Sequence, residues 1–367
     1  MLSSTWIEVE EYGTRCRRTE TTGTRHRLGS SFEELGDVTT SRRVSMIDVA
    51  RVAEVSGQTV SRVVNGSPRV DPATRERVAT AMQQLGYRPH RAARALRTGR
   101  TQTIGLIVST LGTLGNSRML QAVTDAAALR GYALTVVTLA GPDAVDDAFE
   151  RLRDQGVDGA IVLNEATQFA READVAAGIE LVVVDSPADN RFGTVQTDHA
   201  AGARVATEHL LALGHETVWH VAGPAGSFAA AERERGWRKV LEAASRQIPD
   251  ILRGDWSADS GFDAGQVLPP EATAVFVAND QMALGVLRTI AVAGRTVPSD
   301  VSVVGFDDID DARQYLPPLT TVRQDFDALG AHAVQMLVDE IENAQPDRRV
   351  VCTPALVIRE STQMLQE

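Results

Sequence analysis

From Thr103 onward the chain repeats one pattern: a short apolar run, a helical stretch, then another apolar run. The runs are IGLIV (104–108), YALTVV (132–137), AIVL (160–163), LVVV (181–184), TVWHVA (217–222), AVFVA (274–278) and SVVGF (302–306). Several of the helical stretches between them close on glycine, at Gly131, Gly178, Gly214 and Gly294. A series of βα units of this kind implies an α/β fold, a parallel sheet with helices on both faces. About 260 residues is long for one sheet, so two lobes are expected.

The segment before it reads differently. In IDVARVAEVSGQTVSRVVNGSPRV, which begins at Ile47, Met46, Val49, Ala50 and Ala53 follow the i, i+3, i+4, i+7 spacing of one helix face. Val55 falls in a turn, and Ser56 suits the N-cap of a second helix. There Val60, Val63 and Val64 share one face, while Gly57, Gln58, Ser61, Arg62 and Asn65 share the other. A third helix starts at Asp71 and Pro72, carries Val78, Met82 and Leu85 inward, and ends at Gly86. Two short helices with a tight turn and a polar stripe on the second make a helix-turn-helix. Gln and Asn can bond adenine edges, Arg guanine, and Ser either. The alternative on this stretch alone is a solvated face of an ordinary helical hairpin.

Charge separates the same two regions. Between Arg42 and Arg100 stand 12 Arg against 4 acidic residues, although the whole chain carries a formal charge of −12. A basic segment on an acidic body points to one module that meets a polyanion. Just after the third helix, HRAARALRTGRT (90–101) places Arg91, Arg94 and Arg97 on an element too short to be a stable free helix. Phosphates would relieve their repulsion, and Leu96 could wedge into a minor-groove base step; a flexible charged linker is the alternative. Residues 1–43 have little apolar content and no period, which suggests disorder, or a true start near Val44 or Met46. Cys16 and Cys352 lie far apart without metal spacing, and no apolar run reaches membrane-spanning length or forms a secretory signal. A reducing, cytoplasmic setting fits, with no membrane partner, no metal and no cofactor.

In open parallel sheets ligands bind beyond the carboxyl ends of the strands. The residues that follow the runs are Asn164, Asp185, Asn279 with Asp280, and Asp307 with Asp308. Such short polar side chains suit a polyol such as a sugar. Trp256 could offer a flat apolar face to a sugar ring, and Arg233 a bidentate contact. Helix capping by Asn279 and Asp307, and a core role for Trp256, are the competing readings. No GxxxxGK[ST], GxSxG, HExxH or complete GxGxxG motif occurs, so no enzyme chemistry is expected.

The segment VSMIDVARVAEVSGQTVSRVVNGSPRVDPATRERVATAMQQLGYRPHRAARAL resembles the headpiece and hinge of the lactose/galactose/purine repressor family of transcriptional regulators. GDWSADSGF, VANDQMALG, SVVGFDD and LPPLTTVRQDF resemble its two-lobed sensor, which is of the periplasmic-binding-protein type, and the likeness is greatest to the lactose-responsive branch. The resemblance implies a sequence-specific repressor of a sugar-utilisation operon, released from operator by a sugar inducer, a galactoside being one candidate. It implies an extension over 1–43, a headpiece over 44–89, a hinge over 90–102, a sensor and dimerisation domain over 103–361, and a tail over 362–367. It assigns Gly57, Gln58, Ser61, Arg62 and Asn65 to the recognition surface, Thr59 to a phosphate, and Arg91, Arg94 and Leu96 to the hinge. It assigns Asp185, Arg233, Trp256, Asn279, Asp307, Gln324 and Phe326 to the effector pocket, with Ser109 at a position in the first lobe. The pocket asparagine of that branch falls on Leu163 or, one residue on, Asn164. Gly57 replaces an aromatic base-reading residue, so the operator half-site should differ. The chain ends without the heptad tail that joins dimers into tetramers, so a homodimer on a palindromic operator is expected. A nucleobase-corepressed regulator is the alternative within the family; a sugar-binding receptor or a sugar-acting enzyme are the alternatives outside it.

Overall fold

The computed structural model describes residues 6–7, 16–17, 44–87, 95, 99–139, 141, 144–167, 179–187, 191–344 and 347–365. The chain divides into two compact units, Met1–Arg88 and Pro89–Glu367.

In the first unit β1 (Trp6–Ile7) pairs antiparallel with β2 (Cys16–Arg17). These four are the only described residues of 1–43, and a lone two-stranded ribbon is only marginally stable in water. Three helices follow: α1 (Met46–Val52), α2 (Gly57–Val64) and α3 (Pro72–Gln84). Each start is chemically marked. Ser45 and Asp48 form a reciprocal capping box on α1. Ser56 accepts from the Thr59 amide, and Asp71 from the Thr74 amide just ahead of Pro72. Val49, Ala50, Ala53, Val60, Val78, Ala81 and Tyr87 form the buried core, with Met46, Val55, Val63, Val64, Met82 and Leu85 packed around it. So small a core leaves this unit modestly stable. Gly86, at φ 61°, ends α3 in the left-handed conformation that a side chain would disfavour.

The second unit holds two six-stranded sheets among the described residues. The strands are β3 (Thr103–Val108), β4 (Ala133–Thr138), β5 (Gly159–Leu163), β6 (Glu180–Val184), β7 (Gly193–Thr197), β8 (Trp219–Ala222), β9 (Leu252–Arg253), β10 (Ala274–Val277), β11 (Ser302–Asp307), β12 (Thr320–Arg323), β13 (Arg349–Cys352) and β14 (Ala355–Val357). The first lobe has the order β13-β7-β6-β5-β3-β4 and is wholly parallel. The second has the order β14-β12-β11-β10-β8-β9, parallel except for β14 at its edge. Glycines at positive φ end helices at Gly131, Gly214 and Gly294; Gly178 lies outside the described residues.

The unbroken apolar runs follow from burial on both faces. Successive strand residues point to opposite sides. Ile104, Leu106, Ile161, Leu163, Val182 and Val184 enter one core, while Ile107, Ala160, Val162, Leu181 and Val183 enter the other. In the second lobe Val275, Val277 and Val303 separate in the same way from Ala274, Phe276, Val304 and Phe306. The chain passes between lobes at 197–199, 323–326 and 352–355. The helix His199–Ala212 packs in the second lobe and Phe326–Ile341 in the first. These crossings bring the carboxyl ends of both sheets to face one cleft.

Candidate functional sites

In the first unit, the outward face of α2 carries Gly57, Gln58, Arg62 and Asn65 exposed, opposite Val60, which is fully buried. Gln58, Arg62 and Asn65 recur at helical spacing and form one stripe of donors and acceptors. Thr59 and Ser61 are half-buried beside it. The Thr59 hydroxyl lies 2.9 Å from that of Ser56, and the Asn65 side-chain amide donates to the Ser61 carbonyl at 2.5 Å. The stripe is held by capping at both ends of the helix. Arg91, Arg94 and Leu96 lie outside the described residues.

In the second unit, a narrow cleft with an enclosed volume of about 50 Å³ lies between the lobes. Asn164, Asp185, Arg233, Trp256, Asn279, Asp307, Gln324 and Phe326 all line it. Ser109 is half-buried and does not. The reason is the fold of the following loop. The Asn116 amide donates to the Thr110 carbonyl and the Ser117 hydroxyl to the Leu111 carbonyl. The first turn of helix Leu114–Leu129 is thereby presented, so Gly115, Asn116 and Met119 form that wall.

At the cleft floor the polar groups close into a ring. His199 Nε2 lies 2.9 Å from Asp185 Oδ1. Arg233 donates to His199 Nδ1 through Nε at 3.4 Å, and its Nη2 stands 3.3 Å from the same atom. Arginine can only donate, so Nδ1 is an acceptor and the imidazole proton sits on Nε2, close to Asp185 as a charge contact but not aligned with it as a hydrogen bond. Arg233 Nη2 is 3.6 Å from Asp307 Oδ1. Gln324 donates to Asp307 Oδ1 at 2.6 Å and accepts from the Thr197 hydroxyl at 2.8 Å. The Thr197 amide donates to Asp185 Oδ1 at 3.0 Å, which completes the circuit. Arg233 also donates to the Ala278 carbonyl and lies 3.8 Å over the Phe306 ring.

Burial sets the electrostatics. It opposes ionisation of Asp185, but His199, the Thr197 amide and Arg233 together hold that carboxyl below its ordinary range. Burial pushes Asp307 up against the pull of Arg233 and Gln324. Burial and the nearby Asp307 push Asp280 well up; its oxygens accept from Thr321 and the Ile309 amide behind the cleft.

The competing readings separate by residue. Asn279 does cap a helix, accepting from the Met282 amide, while its other end donates to the Trp256 carbonyl at 3.0 Å. Asp307 caps none: Asp307 faces Arg233, whereas Asp308 turns away to Arg323 and Arg359. Trp256 is half-buried at φ 76° and lines the cleft while its flank packs on the second lobe's core. Gly223 makes its seat, since a Cβ there would stand 2.3 Å from the indole. Asn164, Asp185, Trp256 and Asp307 all have positive φ, the kind of local strain that collects at binding sites. Sequence reasoning missed Glu165, because after that strand it took Asn164 alone. Glu165 Oε1 accepts from Trp256 Nε1 at 3.0 Å across the cleft. It missed His199 and Asn116 because neither follows a strand directly.

Two profiles match the chain: "Bacterial regulatory proteins, lacI family" over residues 45–90 and "Periplasmic binding protein-like domain" over residues 207–362. The chain is 37% identical over 327 residues to the lactose operon repressor of Escherichia coli (strain K12), covering 87% of this chain and 91% of that one. It is similar to the lac repressor dimer solved bound to operator and the anti-inducer ONPF: TM-score 0.77, 36% identity, 88% of this chain and all of that one. It is also similar to the solved complex of the transcriptional regulator CelR with cellobiose: TM-score 0.66, 33% identity, 87% of this chain and all of that one.

Proposed function

The chain belongs to the lacI family of bacterial regulatory proteins, and on that premise we propose that it is a transcriptional repressor whose hold on operator DNA is weakened by a sugar bound between the lobes. Its relatives are regulators, not enzymes. The observation that carries the reading is the polar ring at the cleft floor. It offers donors and acceptors from both lobes at once, with an indole face above. Arg233 and Asp307, 3.6 Å apart, are paired by charge but too far apart for a hydrogen bond. A sugar hydroxyl can accept from the first and donate to the second. Asn116, Asn164 and Gln324 add neutral amides around it.

On the DNA side, Gln58, Ser61, Arg62 and Asn65 read base edges, Gly57 leaves room at the start of the helix, and Thr59 meets a phosphate. Arg91 and Arg94 hold further phosphates, and Leu96 enters the central base step. Two copies bind a palindrome as a two-fold homodimer, in the cytoplasm. Sugar binding favours a lobe arrangement that parts the two hinges, with a coupling of about 1–3 kcal/mol.

The test is a gel shift on the protein's own promoter region, with sugars chosen by a thermal-shift screen. Release of DNA by a sugar that raises the melting temperature supports the reading. Stronger DNA binding on addition of guanine or hypoxanthine would replace it with nucleobase corepression.

A further inference from the structure

Asn164 and Glu165 line not only the inner cleft but also a wider outer chamber of about 520 Å³, with Pro187, Arg191 and Phe228. Glu165 therefore stands where the two spaces join. Its carboxylate is not free to swing into solvent, because Oε1 is anchored on Trp256 Nε1 of the opposite lobe. Its Oε2 makes no hydrogen bond among the described residues.

The formal charges lining the inner cleft are Glu165, Asp185 and Asp307 against Arg233. Arg233 is already committed: to the Ala278 carbonyl, to His199, to Asp307 and to the Phe306 face. Arg233 can still donate to a neutral hydroxyl, but its charge is already matched by Asp307 and Asp185, so the described lining residues keep no net positive charge to receive a negative group. Arg191 of the outer chamber is exposed and lies 4.9 Å over the Phe192 ring, where solvent screens it.

We propose that Glu165 is a specificity-determining residue that makes the cleft reject anionic sugars and accept a hydroxyl- or ammonium-bearing one, which Oε2 would hold by accepting a hydrogen bond. The proposal rests on the sugar reading above. A phosphate or carboxylate brought to the junction would meet a partly dehydrated like charge, and the inner cleft offers no cation whose charge is not already matched. A hydroxyl supplies the missing donor, and an ammonium adds charge complementarity.

The experiment is isothermal titration of the full chain at neutral pH with matched probes: galactose, galacturonic acid and galactosamine, and the same set built on glucose. The wild type should bind the neutral or amino member of a set at least tenfold more tightly than the uronic acid. Glu165→Gln keeps an acceptor for Trp256 and removes only the charge, so it should cut that ratio about tenfold, which corresponds to about 1.4 kcal/mol. Glu165→Asp keeps the charge, so its ratio should stay near wild type even where overall affinity falls through loss of the Trp256 bond. An unchanged ratio in Glu165→Gln, or a ratio lost in Glu165→Asp, overturns the assignment. So does a wild type that binds the uronic acid as tightly as its parent. Failure of the wild type to bind any member of either set overturns the sugar reading itself, and the proposal with it.

Discussion

Replacing Arg233 by methionine keeps most of the stem and removes the charge. Arg233 is 4% exposed and its partner Asp307 6%, so solvent screens the pair little. At 3.6 Å and an effective dielectric of about 20, their attraction is about 4–5 kcal/mol. Removing one member of a buried pair typically costs about 3–5 kcal/mol, because the other charge is stranded. We expect a loss of that size in sensor stability near pH 7. The variant's sign with pH follows from Asp307. Its carboxyl is already pushed up by burial, and without Arg233 it rises further. A group whose folded value is raised is best accommodated protonated, so the penalty should grow as pH rises through that window and shrink toward pH 4. Urea unfolding followed by tryptophan fluorescence suits the measurement, since Trp219, Trp237 and Trp256 all lie in the second unit. A loss below about 1 kcal/mol, or one equal at pH 5 and pH 7, would refute the reasoning. The variant should also bind operator yet ignore any sugar that releases the wild type.

Thr197→Val preserves shape but leaves Gln324 Oε1 without its donor; a stability loss of about 1–3 kcal/mol, read by the same unfolding assay, is expected, and a neutral outcome would mean that the ring is not closed in solution. Arg62→Ala should weaken specific operator binding by about 1–3 kcal/mol while changing affinity for unrelated DNA far less, as measured by competition gel shift. Gly86→Ala meets no atom within 4 Å, so any loss comes from φ 61° alone: about 1–2 kcal/mol in the headpiece, visible as earlier loss of helical circular dichroism. Operator affinity should fall steeply with added salt, given the basic first hundred residues; a flat response would contradict phosphate contacts there.

The sheets were readable where their strands were apolar on both faces. Every one of the seven runs holds a strand: in six, Ile, Val and Leu at successive positions suit a doubly covered layer, and the seventh, Ala133–Thr138, is a part-exposed edge that its β-branched residues still marked. The strands that escaped were those whose buried positions are polar or that sit at an edge. In Gly193–Thr197 and Thr320–Arg323, buried Thr194, Gln196, Thr197, Thr320 and Thr321 read as loop until their partners are known, and Ala355–Val357 is an antiparallel edge. At the cleft the sequence exposed residues placed by strand ends. It could not expose Asn116, turned inward by a loop that folds on itself, or Ser109, turned aside by the same loop. Nor could it expose His199, whose role exists only because Asp185 and Arg233, far apart in sequence, meet on either side of it.

The polar circuit passes from one lobe to the other at two points, Asp185 to His199 and Thr197 to Gln324. A rotation of the lobes that strains one strains the other, so the two give way together rather than in turn. Such a joint works like a detent in a mechanical switch: it resists small displacements, then yields whole. A signal that moves it must supply enough differential binding energy to open both contacts at once, and random jostling of the lobes would seldom trip it.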